Sequence, residues 1–207
     1  EASRMLGIPF GIIDLSLDVI PPGTEDRPFK VEKGLLSDRA YMHKVWTHSH
    51  VGTHIEASSH FFDDGKDIDE YPLDAFLGRA ILLDAEPGII DEKVIEGLIG
   101  DIIKEQDIII CRNKRTGSGY PYLTSESARW LADKKIKMLG IDTNFKLGRD
   151  VEEGRLIHSI LMSREVTLIE FLSNLDLISR REFFFLALPY KVKLDSSWTR
   201  AIAIEEK

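Results

Sequence analysis

The sequence predicts one globular domain that spans residues 1–207 and contains both β-strands and α-helices. Its 207 residues are 43% hydrophobic, which is enough to bury one substantial core. Short runs rich in β-branched residues alternate with stretches in which apolar residues recur every three to four positions, as they do in amphipathic helices. No repeat, low-complexity tract or change in composition marks a second domain.

The first half of the chain is predicted to contain strands, an irregular segment and one helix. Residues 9–20 mix β-branched and aromatic positions and end at Pro21-Pro22, which favours a strand followed by irregular chain over residues 21–33. Residues 79–84 predict a second strand. Residues 91–106 predict an amphipathic helix with an acidic first turn, interrupted by two glycines.

The second half alternates between strands and helices. Residues 107–111 predict a buried strand, and residues 116–121 a flexible loop. Thr124 can cap a helix that ends near Lys135. The remaining predicted elements are a strand over residues 136–141, a helical run that begins at His158, and closing strands over residues 183–189 and 199–204.

Composition argues against nucleic-acid and membrane partners. The net charge is -8 and the pI is near 5.3, whereas proteins that bind a phosphate backbone usually carry a basic face. No apolar run approaches the ~20 residues that a membrane span requires. The amino-terminal residues also lack the charged-then-apolar order of a signal peptide. We therefore expect a cytoplasmic protein.

The single cysteine limits sulfur chemistry. With only Cys111 in the chain, there can be no internal disulfide and no zinc cluster of thiolates. Cys111 ends the apolar run over residues 108–111, which favours a buried structural thiol over a nucleophile.

Four of the six histidines lie within residues 48–61. Three of them share even spacings with a carboxylate: His50, His54, Glu56 and His60. Even spacing places these side chains on one face of a strand, whereas a helix would turn Glu56 away from the histidines. A straight strand would nevertheless separate His50 from His60 by roughly 33 Å.

The chain must therefore bend if these side chains converge. Gly52 and the hydroxyl pair Ser58-Ser59 are the candidate turns. Imidazole and carboxylate groups at mixed short spacings suit zinc, or manganese where oxygen donors dominate. A metal site is the leading interpretation. The alternative is a polar strand face whose histidines are solvated or hydrogen-bonded.

His158 and Glu170 form a second candidate pair. Glu170 lies among apolar residues, where an ionised carboxylate is costly without a partner, so a positive group is expected beside it. Taken alone, the pair is more typical of a hydrogen-bonded histidine and a surface glutamate than of metal ligands.

Residues 50–60, HVGTHIEASSH, resemble the metal-binding motif His-x-Gly-Thr-His-x-Asp-x-Pro-x-His of the cyclase family of metal-dependent hydrolases, which includes kynurenine formamidases and isatin hydrolases. Glu56 stands where the family usually has aspartate, and Ser58 where it usually has proline. His158 and Glu170 match the family's second ligand pair. The likeness extends along nearly the whole chain and includes Asp14, Ser16, Gly140-Ile-Asp142 and Ala187-Leu-Pro189.

The resemblance implies a mixed α/β domain of the swivelling β/β/α type with a strongly curved central β-sheet. It also implies a homo-oligomer, either a dimer or a tetramer. By analogy, His50, His54 and Glu56 hold one zinc ion, while Glu56, His158 and Glu170 share in a second. Manganese is the alternative metal.

The implied activity is hydrolysis of a small amide, as in arylformamidases, by water that a metal ion activates. His60 is left free to take the water proton and deliver it to the leaving group, because imidazole titrates near neutrality. The family also places Asp142 beside the active site, although a turn at a strand end explains an aspartate there equally well.

One departure weakens the assignment to kynurenine formamidase itself. Those enzymes often carry a Trp-Pro-Gly-Asp run, whereas this chain has Pro22-Gly23-Thr24-Glu25-Asp26 without the tryptophan. A lactone or cyclic-imide hydrolase is therefore an alternative. A catalytically silent metal-binding protein of the same fold is another.

Overall fold

A curved β-sheet that closes on itself organises the computed structural model, which describes residues 10–115 and 117–206. Pro9 and Thr116, which the sequence assigns to a strand and a loop, lie outside the described residues. The strands, numbered along the chain, are β1 Phe10–Asp14, β2 Phe29–Leu35, β3 Tyr41–Thr47, β4 His54–Glu56, β5 Leu77–Ala85, β6 Gly88–Ile90, β7 Ile108–Asn113, β8 Pro121–Leu123, β9 Met138–Asp142, β10 Lys146–Leu147, β11 Thr167–Leu172, β12 Glu182–Pro189 and β13 Ser196–Glu206.

The main sheet has the strand order β1-β13-β12-β5-β7-β9-β11-β4. Strands β5, β7, β9 and β11 run parallel, and β12 and β4 flank them in the antiparallel sense. The short strand β4 also pairs with the first residues of β13, which closes the sheet. A strongly curved mixed sheet is what the family resemblance predicts, and the prediction is confirmed.

Three α-helices cover the outer side of the parallel strands: α1 Glu92–Ile99, α2 Ser125–Asp133 and α3 Val151–Met162. Alternation along β7 divides the core into two clusters. Ile109 and Cys111 pack toward the helices, whereas Ile108 and Ile110 pack inside the curved sheet, because successive side chains of a strand point to opposite faces. Cys111 is fully buried, as expected of a structural thiol.

Two smaller sheets complete the fold. Strands β6, β8 and β10 form a parallel three-stranded sheet, and β2 and β3 form a separate antiparallel hairpin. Short 3-10 turns occur at Ser58–His60, Ile68–Glu70, Leu73–Phe76 and Leu175–Leu177. Within residues 10–115 and 117–206, no helix is long and apolar enough to cross a bilayer.

Two predictions for the amino-terminal part were wrong in extent. The strand expected over residues 9–20 ends at Asp14, whose carboxylate accepts a hydrogen bond from the Ser16 backbone N–H and turns the chain. Residues 21–33 are not wholly irregular, because β2 begins at Phe29. Its pairing with β3 along the full length of both strands supplies hydrogen bonds that no local pattern reveals.

The helices also differ in their bounds. The last helix begins at Val151 and not at His158, because Asp150 caps it by accepting a hydrogen bond from the Glu153 backbone N–H at 2.9 Å. The helix predicted over residues 91–106 ends at Ile99, directly before Gly100. The helix capped by Thr124 forms as predicted and ends at Asp133.

Candidate metal centre

The histidine-rich stretch is a strand only over its middle three residues. His54 and Glu56 lie on one side of β4, and Ile55 packs into the core on the other. Glu170 of β11 lies directly opposite His54 in the antiparallel ladder. Because opposite residues in such a pair share a face, sheet closure brings Glu170 to the side of His54 and Glu56.

A bend at Gly52 returns His50 to the same place. Gly52 has a φ of 67°, and a Cβ there would overlap the side chain of Val19. Thr53 anchors the bend, since its hydroxyl donates to the Phe171 carbonyl at 2.7 Å. The second expected turn also forms, as the 3-10 turn Ser58–His60.

The first cluster joins His50, His54 and Glu56. Glu56 Oε1 lies 2.8 Å from His50 Nδ1 and 3.3 Å from His54 Nε2. His54 Nδ1 lies 2.8 Å from the Gly52 carbonyl oxygen, which can only accept a hydrogen bond. The proton of a neutral His54 is therefore on Nδ1, and the Nε2 lone pair faces the cluster.

The second cluster joins Glu56, His158 and Glu170. His158 Nε2 lies 3.6 Å from Glu56 Oε2 and 3.6 Å from Glu170 Oε1. His158 Nδ1 donates to the Gly154 carbonyl at 2.7 Å, so the Nε2 lone pair of the neutral ring also faces two carboxylates. Glu56 directs one oxygen to each cluster, despite standing where the family usually has aspartate.

These donors fit a divalent cation. Glu56 is buried, and its Oε2 has no hydrogen-bond partner among the described residues. A buried carboxylate is costly without a positive partner, and here buried Glu56 and half-buried Glu170 meet imidazole lone pairs. Imidazole nitrogen and carboxylate oxygen are preferred ligands of zinc and also suit manganese.

The charge balance of the protein without a cation points the same way. Burial opposes protonation of His158, but the nearby Glu170 carboxylate, the hydrogen bond to the Gly154 carbonyl and the charge of Glu56 raise its pKa. The pKa of His50 is also raised. Burial alone would lower it, but hydrogen bonds to Glu56 and Asp195 outweigh the effect of burial. In both cases the raised pKa reflects the negative charge of the carboxylates around the ring, and that charge would also attract a cation.

Asp195 is a member of the site that the sequence did not reveal. Its Oδ2 lies 2.8 Å from His60 Nδ1 and 2.9 Å from His50 Nε2. Burial raises the pKa of Asp195, and its two histidine partners outweigh burial and lower it. Residues 191–197 lie between the two predicted closing strands, and nothing in their spacing distinguishes Asp195 from other loop aspartates.

While Asp195 contacts one nitrogen of His60, the other nitrogen has no hydrogen-bond partner among the described residues. His60 Nε2 lies 4.0 Å from Glu56 Oε1, beyond hydrogen-bond range. Among the described residues, His50, His60 and Asp195 form a further group whose donor atoms lie close enough to hold an ion.

The clusters open into a cavity of about 660 Å³ whose lining includes His50, Glu56, His60, His158 and Glu170. The cavity therefore gives a small molecule access to both clusters and to His60 together.

Asp142 does not line this cavity. It lies in a separate cleft with Arg112 and Asn113, and its Oδ1 accepts a hydrogen bond from the Asn144 backbone N–H at 2.7 Å. That geometry supports the interpretation of Asp142 as a turn residue at the end of β9.

The fold and the site together define an α/β protein with a closed, curved sheet and a buried histidine–carboxylate centre suited to a divalent cation. Residues 13–145 match the family described as "Putative cyclase". The chain belongs to this cyclase family, which confirms the resemblance seen in the sequence.

Relatives of known name cover most of the chain. Kynurenine formamidase of Erythrobacter litoralis is 26% identical over 200 residues, which are 91% of this chain and 88% of the relative. Kynurenine formamidase of Bacillus cytotoxicus is 25% identical over 189 residues, which are 86% of this chain and 88% of the relative.

Solved structures show the same fold. Isatin hydrolase A from Labrenzia aggregata, bound to benzyl benzoate, superposes with a TM-score of 0.80 at 23% identity and covers 100% of this chain and 98% of its own. A potential metal-dependent hydrolase with cyclase activity superposes with a TM-score of 0.77 at 24% identity, covering 96% and 99% of the two chains.

Proposed function

We propose that this protein is a metal-dependent hydrolase of small amides with arylformamidase activity, like the kynurenine formamidases that it resembles. One observation carries the proposal: buried Glu56 directs one oxygen to His50 and His54 and the other to His158. In this proposal His50, His54 and Glu56 hold one ion, and Glu56, His158 and Glu170 share in a second. Zinc is the first choice of metal and manganese the second.

A bound divalent ion supplies Lewis acidity, which lowers the pKa of bound water toward 7 and polarises a carbonyl group. The chain's own residues hold the donor atoms and move the proton. His54 and His158 are fixed by hydrogen bonds to the Gly52 and Gly154 carbonyls, so their Nε2 lone pairs need no reorientation.

His60 is the proposed proton carrier. Because Asp195 accepts from Nδ1, the free Nε2 can take a proton from the attacking water. As the oxygen–carbon bond forms and the carbon–nitrogen bond breaks, the same Nε2 donates that proton to the leaving nitrogen. The products of a formamide are an amine and formic acid, which releases its proton to solvent to give formate, and His60 returns to its neutral form.

Metal content and turnover, measured together, test this function. The purified protein, analysed by plasma mass spectrometry after reconstitution, should contain zinc or manganese and should hydrolyse N-formylkynurenine. If no metal binds to undamaged protein, the function is wrong.

His60→Ala separates chemistry from binding. It should lower the rate by about 10² to 10⁴-fold while metal content is unchanged. Loss of metal together with activity would instead make His60 a ligand.

A cyclic-imide or lactone hydrolase is the second candidate, favoured by the missing tryptophan near Pro22 and by the structural likeness to isatin hydrolase. Turnover of isatin or a lactone in preference to N-formylkynurenine would establish it. Metal binding without turnover of any of these compounds would indicate a catalytically silent metal-binding protein.

We further propose that the protein is a homo-oligomer, a dimer or a tetramer, assembled through the β2–β3 hairpin. Both faces of the hairpin are largely exposed, with Leu35, Tyr41 and Trp46 at 62%, 68% and 56% exposure. A lone two-stranded hairpin is marginally stable in water. Large exposed apolar side chains on such a hairpin suit a surface that another subunit covers.

Charge favours a second copy as the partner. The hairpin carries more basic than acidic side chains, while the whole chain has a net charge of -8. Light scattering should show a dimer or tetramer, and Tyr41→Asp with Trp46→Asp should yield folded monomer. A wild-type monomer would contradict the proposal.

Two predictions from the sequence remain predictions: residues 1–207 form one domain of this family, and the protein works in the cytoplasm. Limited proteolysis and cell fractionation would test them.

A further inference from the structure

The cavity that contains the candidate metal centre also has a cationic rim, although the protein carries a net charge of -8. Its acidic lining residues are Glu56 and Glu170, which belong to the centre, and Asp150, which caps α3. Four basic side chains line the same space: Arg27, Lys146, Arg149 and Arg155.

Two of these cations are already engaged. Arg27 donates to the His50 carbonyl and lies over the ring of Phe171, 4.5 Å from its centroid. Arg149 pairs with Asp150 at 3.3 Å. Both arginines therefore already have partners within the protein.

The other two are not paired. Within residues 10–115 and 117–206, neither Lys146 nor Arg155 forms an ion pair, and both are exposed. The Lys146 ammonium lies 4.5 Å from the centre of the Tyr120 ring, a contact that positions the group without neutralising it. In the part of the chain that the structure describes, the cavity therefore presents two positive charges without an anionic partner.

The fold places both residues beside the centre. Arg155 precedes His158 by three residues on α3, so the two side chains share a helix face, about one turn apart. Lys146 lies on β10, which leads into Gly148. A Cβ on Gly148 would come within 2.5 Å of the Gly154 backbone nitrogen, so this loop packs directly on α3.

We propose that Lys146 and Arg155 bind a carboxylate of the substrate, so that the preferred substrates are amides bearing a carboxylate on the amine side of the scissile bond. This inference rests on the proposed amide hydrolysis: the acyl part of a formamide has no room for another group. Arginine suits the role because its planar guanidinium can bind both carboxylate oxygens, while lysine adds a point charge.

A matched pair of substrates tests the inference in the metal-loaded enzyme. Formanilide and 2-formamidobenzoate share the scissile bond and differ in one carboxylate. Wild-type protein should prefer 2-formamidobenzoate. Lys146→Met and Arg155→Met should each lower kcat/KM for it by about tenfold, the value expected for a hydrogen bond to a charged group. For formanilide the change should stay below about twofold.

A control variant and a salt series sharpen the result. Lys135→Met removes an exposed lysine paired with Glu105, and it lies outside the cavity lining, so it should alter neither substrate. Raising ionic strength toward 1 M should shrink the preference for 2-formamidobenzoate, because partly exposed charges are screened over about 3 Å there. Parallel changes in both substrates would overturn the inference.

Calorimetric binding of benzoate gives a readout that does not depend on turnover. The double variant Lys146→Met/Arg155→Met should bind benzoate at least about tenfold more weakly than wild type, and benzamide equally well. If neither formamide is hydrolysed, the proposed amide hydrolysis fails, yet the loss of benzoate binding would still support the anion site. Equal benzoate binding by wild type and double variant would overturn it.

Discussion

The two halves of the candidate metal centre are built in different ways. The half formed by His50, His54 and Glu56 is local: seven consecutive positions, a bend at Gly52 and a three-residue strand. The half formed by His158 and Glu170 comes from a helix and a strand about a hundred positions later. Glu56 belongs to both halves.

Different contacts orient the side chains of the two halves. In the local half, the Gly52 carbonyl orients His54 from only two residues away. In the distant half, the Gly154 carbonyl orients His158 from one helical turn below, and the β4–β11 pairing sets the position of Glu170. The local half thus depends on a bend, and the distant half depends on closure of the sheet.

Changing the residue that joins the halves should have the largest effect. Glu56→Gln keeps the shape of the side chain but removes its charge, so both clusters should lose affinity for metal. The loss should exceed about 100-fold, because removing a residue that only supports a metal ligand already costs up to about that much. Metal analysis and N-formylkynurenine turnover measure this. Glu56→Asp, the residue usual in the family, is the matched control and should retain metal. Equal metal content in Glu56→Gln would show that the halves are independent.

Removing a ligand from the distant half alone should have a smaller effect on metal content. His158→Ala should lose one ion and retain the other, because His50, His54 and Glu56 remain in place. Metal analysis of His158→Ala beside wild type gives the stoichiometry, and circular dichroism verifies folding. Loss of all metal would mean that the local half cannot bind on its own.

Asp195 offers a milder perturbation near the local half. Asp195→Ala frees His60 to rotate, so kcat should fall by roughly 10- to 100-fold with little change in KM. Asp195→Asn retains an acceptor and should restore part of the rate. Steady-state kinetics distinguish these outcomes. A parallel fall in metal content would instead assign Asp195 to the support of His50.

The smallest effect is expected outside both halves, at Asp142. Burial raises its pKa to about 6, against hydrogen bonding by the Asn144 N–H and the charge of Arg112. The folded protein therefore binds a proton more tightly than the unfolded chain, and stability falls as pH rises from about 4 to about 6.

Asp142→Asn removes this cost while keeping the acceptor for the Asn144 N–H. It should stabilise the protein at pH 7.5 and should have no effect near pH 4. We expect a gain of only about 1 to 2 kcal/mol at pH 7.5, because the carboxylate borders a cleft whose solvent screens its charge. Urea unfolding at both pH values measures the difference. Equal stabilisation at both pH values would contradict the pKa argument.

Much of the fold followed from local signals. The strand around residues 79–84 and the Thr124 cap were predicted because apolar period and capping chemistry act over a few residues. The start of β2 and the true beginning of α3 were missed. The first depends on pairing with β3, and the second on a cap at Asp150 that precedes a largely exposed helical turn.

The residues of the candidate site also differ in whether a local sequence pattern reveals them. The even spacing of His50, His54, Glu56 and His60 set their common face, and convergence of their side chains required a bend, for which Gly52 and Ser58-Ser59 were the candidate turns. Asp195 could not be found, since its approach to His50 and His60 arises from the closing strand β13 and not from any local pattern.

By itself, the sequence determined which residues could serve as ligands and where the backbone could turn, because residue chemistry and short-range sterics are local properties. Only the tertiary structure decided that His158 and Glu170 meet Glu56, that Asp195 joins two histidines, and that Lys146 and Arg155 line the cavity. Those facts depend on how β4 closes the sheet between β11 and β13, and such contacts are stabilised by burial and pairing between segments far apart in the chain.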